Sequence, residues 1–420
     1  HGQLGQRPDL RRPDHRPGCR KRADHQQGAH RVRVRELNMA KSVYVGVDSK
    51  ARKMKKAYIG IGGTARKVKK MYIGDSSGKA RLCYSAELKK VGTATALGKP
   101  CKVLAAASVG DYALFAGRDE GFITYSPSAI DAYDTSLTKS SPTGWSAERK
   151  DCGATAIGDH ALFAGGGDNH GNNVQSSVDA YDASLTRSSA PALTGPRRLV
   201  GAAIAGDHAL FAGGVNRSGD TTRYYKTVDA YSASLTRTSV DTMSSGNRFS
   251  LKGTTVNKYA LFAEEQYDSR VEAYSPSLTR VTVSPLSRSS PVYVVATAVG
   301  NYAIFSGSSL TADVYDGSLT KTTASILNRG RQSMAAVTVG DYALFAGGYP
   351  STDTEYTPGV TNDDVDACDS SLTRTTAAAL SVKVSGPVAA TVGDYALIAG
   401  GYAESGTNSG YSDTVDVYTA

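Results

Sequence analysis

Carboxylates recur at one fixed place in this chain of 420 residues. Each stands second in a phrase close to Val-Asp-Ala-Tyr, and there are seven of them: Asp131, Asp179, Asp229, Glu272, Asp313, Asp366 and Asp416. A ring of carboxylates could bind a metal ion or exchange protons with a substrate. A catalytic site needs one special position, however, and these acids occur in every copy of the phrase. We therefore predict that they accept hydrogen bonds from neighbouring strands or turns.

Arginines form a second recurring set, nine residues before a Gly-Asp or equivalent pair: Arg149, Arg197, Arg248 and Arg331. A guanidinium group compensates a carboxylate well through charge-assisted hydrogen bonds. We predict that these arginines pair with the recurring acids.

The single tryptophan, Trp145, could stack on a ligand, but its position also repeats. It lies eight residues after Leu137, and the same offset in other copies reaches Leu193, Met243, Leu286, Leu327 and Leu380. All of these are large and apolar, so we predict a core position. The copy containing Leu88 has Ala96 at this offset and Leu97 one residue later. A one-residue slip or bulge would reconcile it with the others.

Histidines and cysteines give no clear metal or redox pattern. After residue 83 the only histidines are His160, His170 and His208. Two of them replace a recurring tyrosine, so we interpret them as partly buried rings rather than metal ligands. The five cysteines, Cys19, Cys83, Cys101, Cys152 and Cys368, have no CxxC spacing and indicate neither a zinc site nor a disulfide framework. We predict no catalytic residue, cofactor or metal.

The element that must position these residues is a repeat containing Gly-Asp-Tyr-Ala-Leu-Phe-Ala-Gly-Gly. Seven copies, some loose, begin at 110, 158, 206, 257, 300, 340 and 393, a spacing typical of propeller blades. Each unit divides into four short strands bounded by Gly, Asp and Ser turns. The chain end supplies only three strands, and residues near 85–97 match the missing fourth. We predict an all-β, closed seven-bladed β-propeller over 84–420, with the last blade completed by the N-terminal strand.

The unit around Arg331 resembles the Kelch repeat. The arginine is followed by small residues, by GDYALFAGG and by Val-Asp-Ala-Cys, and the resemblance covers all seven units. The chain departs from the Kelch pattern in two ways. The Gly doublet survives only at Gly165, Gly213, Gly347 and Gly400, and the fourth-strand Trp occurs once. The resemblance implies a propeller, and Kelch-like propellers include copper oxidases.

Charge is distributed unevenly along the chain. The formal net charge is +9, yet residues 1–83 hold 22 Lys/Arg against six Asp/Glu, and residues 84–420 hold 26 against 33. The predicted propeller is therefore acidic, which argues against binding nucleic acid through general electrostatics. There is no run of 18 apolar residues, so we expect no membrane insertion.

Residues 1–38 are rich in Arg, Gln, His and Pro and do not resemble a domain. The Arg-Glu pair before Met39 could be encoded by a purine-rich ribosome-binding site. We therefore expect Met39 to be the real start and 1–38 to be a translated leader, the alternative being a disordered basic arm. After Met39 there is no long apolar segment, so we expect no secretory signal.

Residues 39–83 contain a second repeat with a period of 14, in which Tyr44-Val-Gly-Val is followed by Tyr58-Ile-Gly-Ile and Tyr72-Ile-Gly. Its turns and alternation predict a small basic β-ribbon that needs a partner surface or identical chains. This ribbon resembles short repeats at the start of structural proteins in tailed phages and prophages of Gram-positive bacteria. The resemblance implies a virion-associated protein, with the ribbon attached to other virion proteins. The candidate anchoring residues are Lys53, Lys55, Lys56, Arg66, Lys67, Lys69 and Lys70.

The loops between the second and third strands vary most, at 118–129, 167–177, 215–227, 349–364 and 402–414. Variable loops on a rigid scaffold commonly bind partners, and these are rich in Tyr, Ser, Gly and Asn. The candidate ligand-binding residues are Tyr125, Asn169, His170, Arg223, Tyr224, Tyr225, Tyr349, Tyr356, Tyr402 and Tyr411.

These five loops are expected to open on one side of the propeller, which we call the long-loop face. We expect a non-enzymatic phage or prophage virion protein that binds a host surface glycan or protein through this long-loop face. It would be made in the bacterial cytoplasm and released with the particle. One alternative is a purely structural decoration or interaction propeller. Another is a propeller enzyme, either an oxidase or a glycan-acting enzyme, although the Ser-x-Asp-x-Gly-x-Thr-Trp box of sialidases is missing.

Overall fold

The computed structural model is all-β in the residues that it describes. These are 44–47, 50–53, 57–61, 64–68, 70–74, 80–85, and 87–420 except 120–127, 168–172, 219–220, 245–249, 265–267, 288–292, 352–360 and 406–407. The chain divides into two compact units, His1–Ser85 and Ala86–Ala420.

The second unit contains seven antiparallel four-stranded sheets, numbered here in chain order. Sheet 1 comprises Lys102–Val109, Tyr112–Asp119, Ile130–Asp134 and Lys139–Ser140. Sheet 2 comprises Gly153–Ile157, His160–Ala164, Val178–Asp182 and Arg187–Ala190. Sheet 3 comprises Gly201–Ala205, His208–Ala212, Val228–Ser232 and Arg237–Ser239. Sheet 4 comprises Leu251–Val256, Tyr259–Glu264, Val271–Tyr274 and Arg280–Thr282.

The remaining sheets follow the same plan. Sheet 5 comprises Val295–Val299, Tyr302–Ser306, Thr311–Asp316 and Lys321–Ser325. Sheet 6 comprises Ala335–Val339, Tyr342–Ala346, Val365–Asp369 and Arg374–Thr376. Sheet 7 comprises Val388–Val392, Tyr395–Ala399, Val415–Thr419 and, from the other end of the unit, Lys89–Thr93.

The described residues of the second unit also form two two-stranded sheets and one three-stranded sheet. They are Val215–Ser218 with Thr221–Tyr224, Arg331–Gln332 with Tyr349–Pro350, and Val384–Ser385 with Tyr402–Ser405 and Asn408–Tyr411. In the first unit, Tyr44–Val47 pairs with Lys50–Lys53, Ala57–Ile61 with Thr64–Val68, and Lys70–Gly74 with Ala80–Ser85.

Sheet 7 joins the two ends of the second unit. Lys89–Thr93 pairs antiparallel with Val415–Thr419, as the sequence predicts. The register shifts so that Val417 faces Gly92 and Tyr418 faces Lys90, which leaves Val91 as an extra residue. This bulge brings Leu97 rather than Ala96 into the core, and it confirms the slip expected from the repeat.

The second and third strands of each sheet are its inner, buried strands. The sequence Tyr-Ala-Leu-Phe-Ala is apolar on both faces because each face packs against another sheet. The Gly-Asp pair before it makes the two-residue hairpin, and Gly340 adopts a φ of 56° there. A Cβ at Gly340 would lie 3.0 Å from that of Ala420, so a side chain would crowd the neighbouring sheet.

The Ser-Leu-Thr turn between the third and fourth strands is closed by a side chain. In sheet 1, the Asp134 carboxylate accepts hydrogen bonds from the backbone N–H groups of Ser136 and Thr138 and from the Ser136 hydroxyl. The bond from Ser136 is the main reason why the pKa of Asp134 is lowered. Leu137 takes a φ of 64° in this turn, and leucines do the same in sheets 2 to 6.

Apolar side chains of neighbouring sheets form the core. Phe163 and Tyr181 of sheet 2, for example, pack edge to face at 5.9 Å and join Leu114 of sheet 1 in one cluster. Another cluster joins Leu397 of sheet 7 to Phe115 of sheet 1. The first strand of every sheet contacts the first strand of the next, and that of sheet 7 contacts that of sheet 1. Small four-stranded sheets packed in this way define a propeller-like fold.

Trp145 lies in the core between sheets 1 and 2, as predicted. It is buried, its ring is 5.6 Å from that of Phe163, and the Arg149 guanidinium lies 5.1 Å from the indole.

We expect Trp145→Ala to lower the free energy of unfolding by about 3–5 kcal/mol because it leaves a cavity. Trp145→Leu should lose less than half as much, since leucine fills this position in five other units. Urea unfolding followed by far-UV circular dichroism would test this, and equal losses for the two variants would contradict it.

Candidate functional site

The recurring carboxylates join neighbouring sheets. Each is buried and accepts a hydrogen bond from the backbone N–H that follows the large apolar residue of the preceding unit. In sheet 2, Ser146 N, next to Trp145, donates to Asp179 at 3.2 Å. The other donor–acceptor pairs are Gly98–Asp131, Thr194–Asp229, Ser244–Glu272, Ser287–Asp313, Asn328–Asp366 and Ser381–Asp416. The predicted structural role of these acids is confirmed.

The recurring arginines pair with these acids, also as predicted. The described pairs are Arg149–Asp179 at 2.5 Å, Arg197–Asp229 at 2.6 Å and Arg331–Asp366 at 2.7 Å. All three arginines are fully buried. Arg248, the fourth of the set, lies outside the described residues.

These arginines also bond to residues at the ends of the long loops. Arg331 Nη1 donates to the carbonyls of Gly347 and Asp364 at 2.7 and 2.9 Å, and so joins the two ends of the loop of sheet 6. In sheet 2, Arg149 joins the last residue of the loop to the second strand, because it donates to Ser177 O and to Phe163 O. Burial lowers the pKa of Arg331, and this effect is opposed by Asp366. The ion pairs therefore fix the points at which the variable loops leave the sheets.

Histidine and cysteine side chains provide little reactive chemistry in the described part of the chain. His160 and His208 are half-buried at the start of second strands, in agreement with their interpretation as tyrosine substitutes. Burial raises the pKa of the Cys152 and Cys368 thiols to about 12, so both stay protonated and weakly nucleophilic near neutral pH. Within the same residues, no group of three or more His, Cys, Asp or Glu side chains could hold a metal ion.

The structure describes six of the ten predicted ligand-binding residues. Arg223 and Tyr224 are exposed on the hairpin of sheet 3. Tyr402 and Tyr411 are paired across the hairpin of sheet 7, with half-buried rings 5.6 Å apart, and Tyr349 is half-buried beside Gln332. Tyr125, Asn169, His170 and Tyr356 lie outside the described residues.

Tyr225 has a different environment from the one that its loop position suggests. Its side chain is only 6% exposed. The guanidinium carbons of Arg223 and Arg197 lie 4.9 and 5.6 Å from its ring centroid. The ring therefore offers little surface to a ligand, and we reassign Tyr225 to supporting the hairpin. Alternation along the strand explains the difference, because Tyr224 and Tyr225 point to opposite faces.

Arg217 was missed among the candidate residues. It is exposed on the same hairpin and lies opposite Thr222. The sequence does contain a signal for the hairpin, since Val-Asn-Arg-Ser and Thr-Thr-Arg-Tyr flank a Gly-Asp pair.

The described residues of the first unit form three antiparallel strand pairs, and the first two repeat the same register 14 residues apart. Lys53 lies opposite Tyr44, Lys67 opposite Tyr58, and Arg66 opposite Ile59. Of the other candidate anchoring residues, Lys70 lies opposite Ser85 at the start of the third hairpin, whereas Lys55, Lys56 and Lys69 lie outside the described residues. Among the described residues, no helix is long and apolar enough to cross a membrane.

Comparisons with known proteins give no family. No family model and no curated protein matches the chain. A solved structure titled "Structure of YjhT" is similar to 65% of this chain over 95% of its own length, with 12% identity and a TM-score of 0.49. A likeness of this extent identifies neither family nor function.

Proposed function

We propose that the seven sheets close into a seven-bladed propeller with sheet 7 as the joining blade. Contacts that link successive sheets recur between sheets 7 and 1. Gly401 N donates to Cys101 O, as Gly166 N donates to Arg197 O between sheets 2 and 3. A Cβ at Gly393 would meet Thr135 of sheet 1, as one at Gly110 would meet Ala183 of sheet 2. The recurrence of both contacts supports a ring.

We infer that this propeller is a binding protein rather than an enzyme, with the long-loop face as its binding surface. The supporting observation is the way in which the loops begin and end. Arginines of buried ion pairs hold both ends of the loop in sheet 6 and the C-terminal end of the loop in sheet 2, while length and sequence vary freely within these loops. A fixed framework with variable loops is the arrangement by which many folds recognise partners.

The ligand that best suits this face is a glycan or protein on a host cell. Tyrosine offers contact area at little entropic cost, and the described part of the face has Tyr224 exposed and Tyr402 and Tyr411 partly exposed. The setting that we propose is a phage or prophage virion, because the repeat of residues 39–83 resembles ribbons of virion proteins. The basic ribbon would attach the chain to other virion proteins or to further copies of itself.

Binding of the full chain to Gram-positive cells and to a glycan array would test this proposal. In the test variant, residues 352–360 are replaced by a short Gly-Ser turn, which keeps Gly347 and Asp364, whose carbonyl groups bond to Arg331. The control variant, Asp111→Asn with Asp159→Asn, alters exposed turns on the opposite face. We expect the control to bind like the parent chain and the loop variant to lose binding. If the folded parent binds no cell and no glycan, a structural role in the particle would replace this proposal.

A further inference from the structure

The hairpin of sheet 3, Val215–Ser218 with Thr221–Tyr224, carries two arginines that form no ion pair with a described carboxylate. Between residues 128 and 420, the structure describes the side chains of twelve arginines. Ten of them lie within 4.0 Å of a carboxylate, namely Arg149, Arg187, Arg197, Arg198, Arg237, Arg270, Arg280, Arg329, Arg331 and Arg374. The two that form no such pair with any described residue are Arg217 and Arg223, and both are exposed. Because no described carboxylate neutralises either guanidinium group, both can offer their charge to a ligand.

The sign of the charge also sets this loop apart. Residues 215–227 contain three basic residues and one acidic residue. Each of the other four long loops, at 118–129, 167–177, 349–364 and 402–414, has more acidic than basic residues. On an acidic propeller, the hairpin is therefore the long loop suited to an anion.

Strand register places suitable groups beside each arginine. Asn216 lies opposite Arg223, so an amide and a guanidinium share one face of the hairpin. On the other face, Val215 lies opposite Tyr224 and Arg217 opposite Thr222, which makes Arg217 and Tyr224 diagonal neighbours. Tyr224 is 38% exposed, so a partly exposed aromatic ring lies diagonal to Arg217, which forms no ion pair with a described carboxylate.

The hairpin is held in place before any ligand arrives. Arg223, Tyr225 and Arg197 form a stack, and Arg197 is fixed by its buried pair with Asp229. At the base of the hairpin, Arg198 N donates to Val215 O at 2.9 Å. Restraint of this kind reduces the entropy that binding would otherwise lose.

We propose that this hairpin binds an anionic glycan, with a carboxylate or phosphate group on the arginines and a sugar ring against Tyr224. Arginine forms paired hydrogen bonds with both anions, and the amphipathic ring of tyrosine suits the mixed surface of a sugar. This inference rests on the proposed function of the long-loop face and adds the chemical class of its ligand.

The experiment measures binding of the full chain to three soluble polymers by calorimetry at two salt concentrations. Polygalacturonate offers carboxylates, poly(glycerol phosphate) offers phosphates, and dextran is neutral. The variants are Arg217→Gln with Arg223→Gln, Tyr224→Ala, and, as a matched control, Lys383→Gln, which removes an exposed positive charge from outside the hairpin. Circular dichroism spectra would establish that each variant is folded.

We expect the parent chain to bind one anionic polymer, more weakly at high salt, and the double variant to lose about tenfold or more in affinity. Tyr224→Ala should weaken polymer binding, and the control should stay within about twofold of the parent. The polymer that binds distinguishes carboxylate from phosphate recognition. If the parent binds only dextran, or binds cells and anionic polymers equally well with and without the arginines, the inference is wrong while the proposed function stands. If the parent binds neither cells nor any glycan, both are wrong.

Discussion

Replacing Arg331 by alanine is expected to lower the free energy of unfolding by about 3–5 kcal/mol, because the change leaves a buried carboxylate without its positively charged partner. The guanidinium is fully buried, pairs with Asp366 at 2.7 Å and donates to Gly347 O and Asp364 O. Without it, Asp366 keeps the N–H of Asn328 and a contact with Arg374. Neither brings a buried positive charge to balance the acid. Urea unfolding of the parent and the variant would measure the loss.

The same carboxylate provides the matched control. The Arg374 side chain is 39% exposed, and its Nε lies 3.2 Å from the other oxygen of Asp366. Since solvent screens an exposed ion pair, Arg374→Ala should lose at most about 1 kcal/mol. A comparable loss in both variants would mean that burial does not determine the strength of this contact. If Arg331→Ala does not lower the free energy of unfolding, the ion pair does not stabilise the fold.

The structural roles of repeated residues could be predicted because the seven units of the chain can be compared with one another. Asp366, Arg331 and Trp145 each occupy a position that recurs in other units, so a structural role could be separated from a functional one. The bulge at Val91 could be anticipated for the same reason, since it restores Leu97 to a repeated position. Repetition also indicated the four-stranded unit and the strand shared by the two ends.

The long loops have no such internal comparison, and there the sequence predicted less. Composition alone placed Tyr224 and Tyr225 together as ligand contacts, but strand alternation buries one and exposes the other. Tyr225 contacts Arg223 of its own loop and Arg197, which lies before the first strand of sheet 3. A contact between separate segments of the chain cannot be predicted from a local sequence pattern. For the same reason Arg217 was overlooked, although it is exposed beside Tyr224.

Removing the strand that completes sheet 7 should be the most damaging truncation of the second unit. A chain that begins at Gly98 lacks Lys89–Thr93 and Leu97. It therefore loses the pairing with Val415–Thr419, the ion pair from Lys90 to Asp416 at 2.7 Å, and a buried leucine. The leucine and the largely buried ion pair together correspond to at least about 5 kcal/mol of unfolding free energy. The exposed edge of Val415–Thr419 would also be free to pair with other chains.

The control for this truncation is a chain that begins at Ala86, which lacks the first unit but keeps the strand. We expect the control to melt cooperatively as a monomer, and the shorter chain to melt more than about 10 °C lower or to aggregate, given a few degrees per kcal/mol for a domain of this size. A synthetic peptide of residues 86–97 should partly restore the melting temperature, because the strand would bind its vacant edge. If the two chains melt within about 2 °C of each other as monomers, the N-terminal strand is dispensable. A ring closed through that strand would then be the wrong description of this protein.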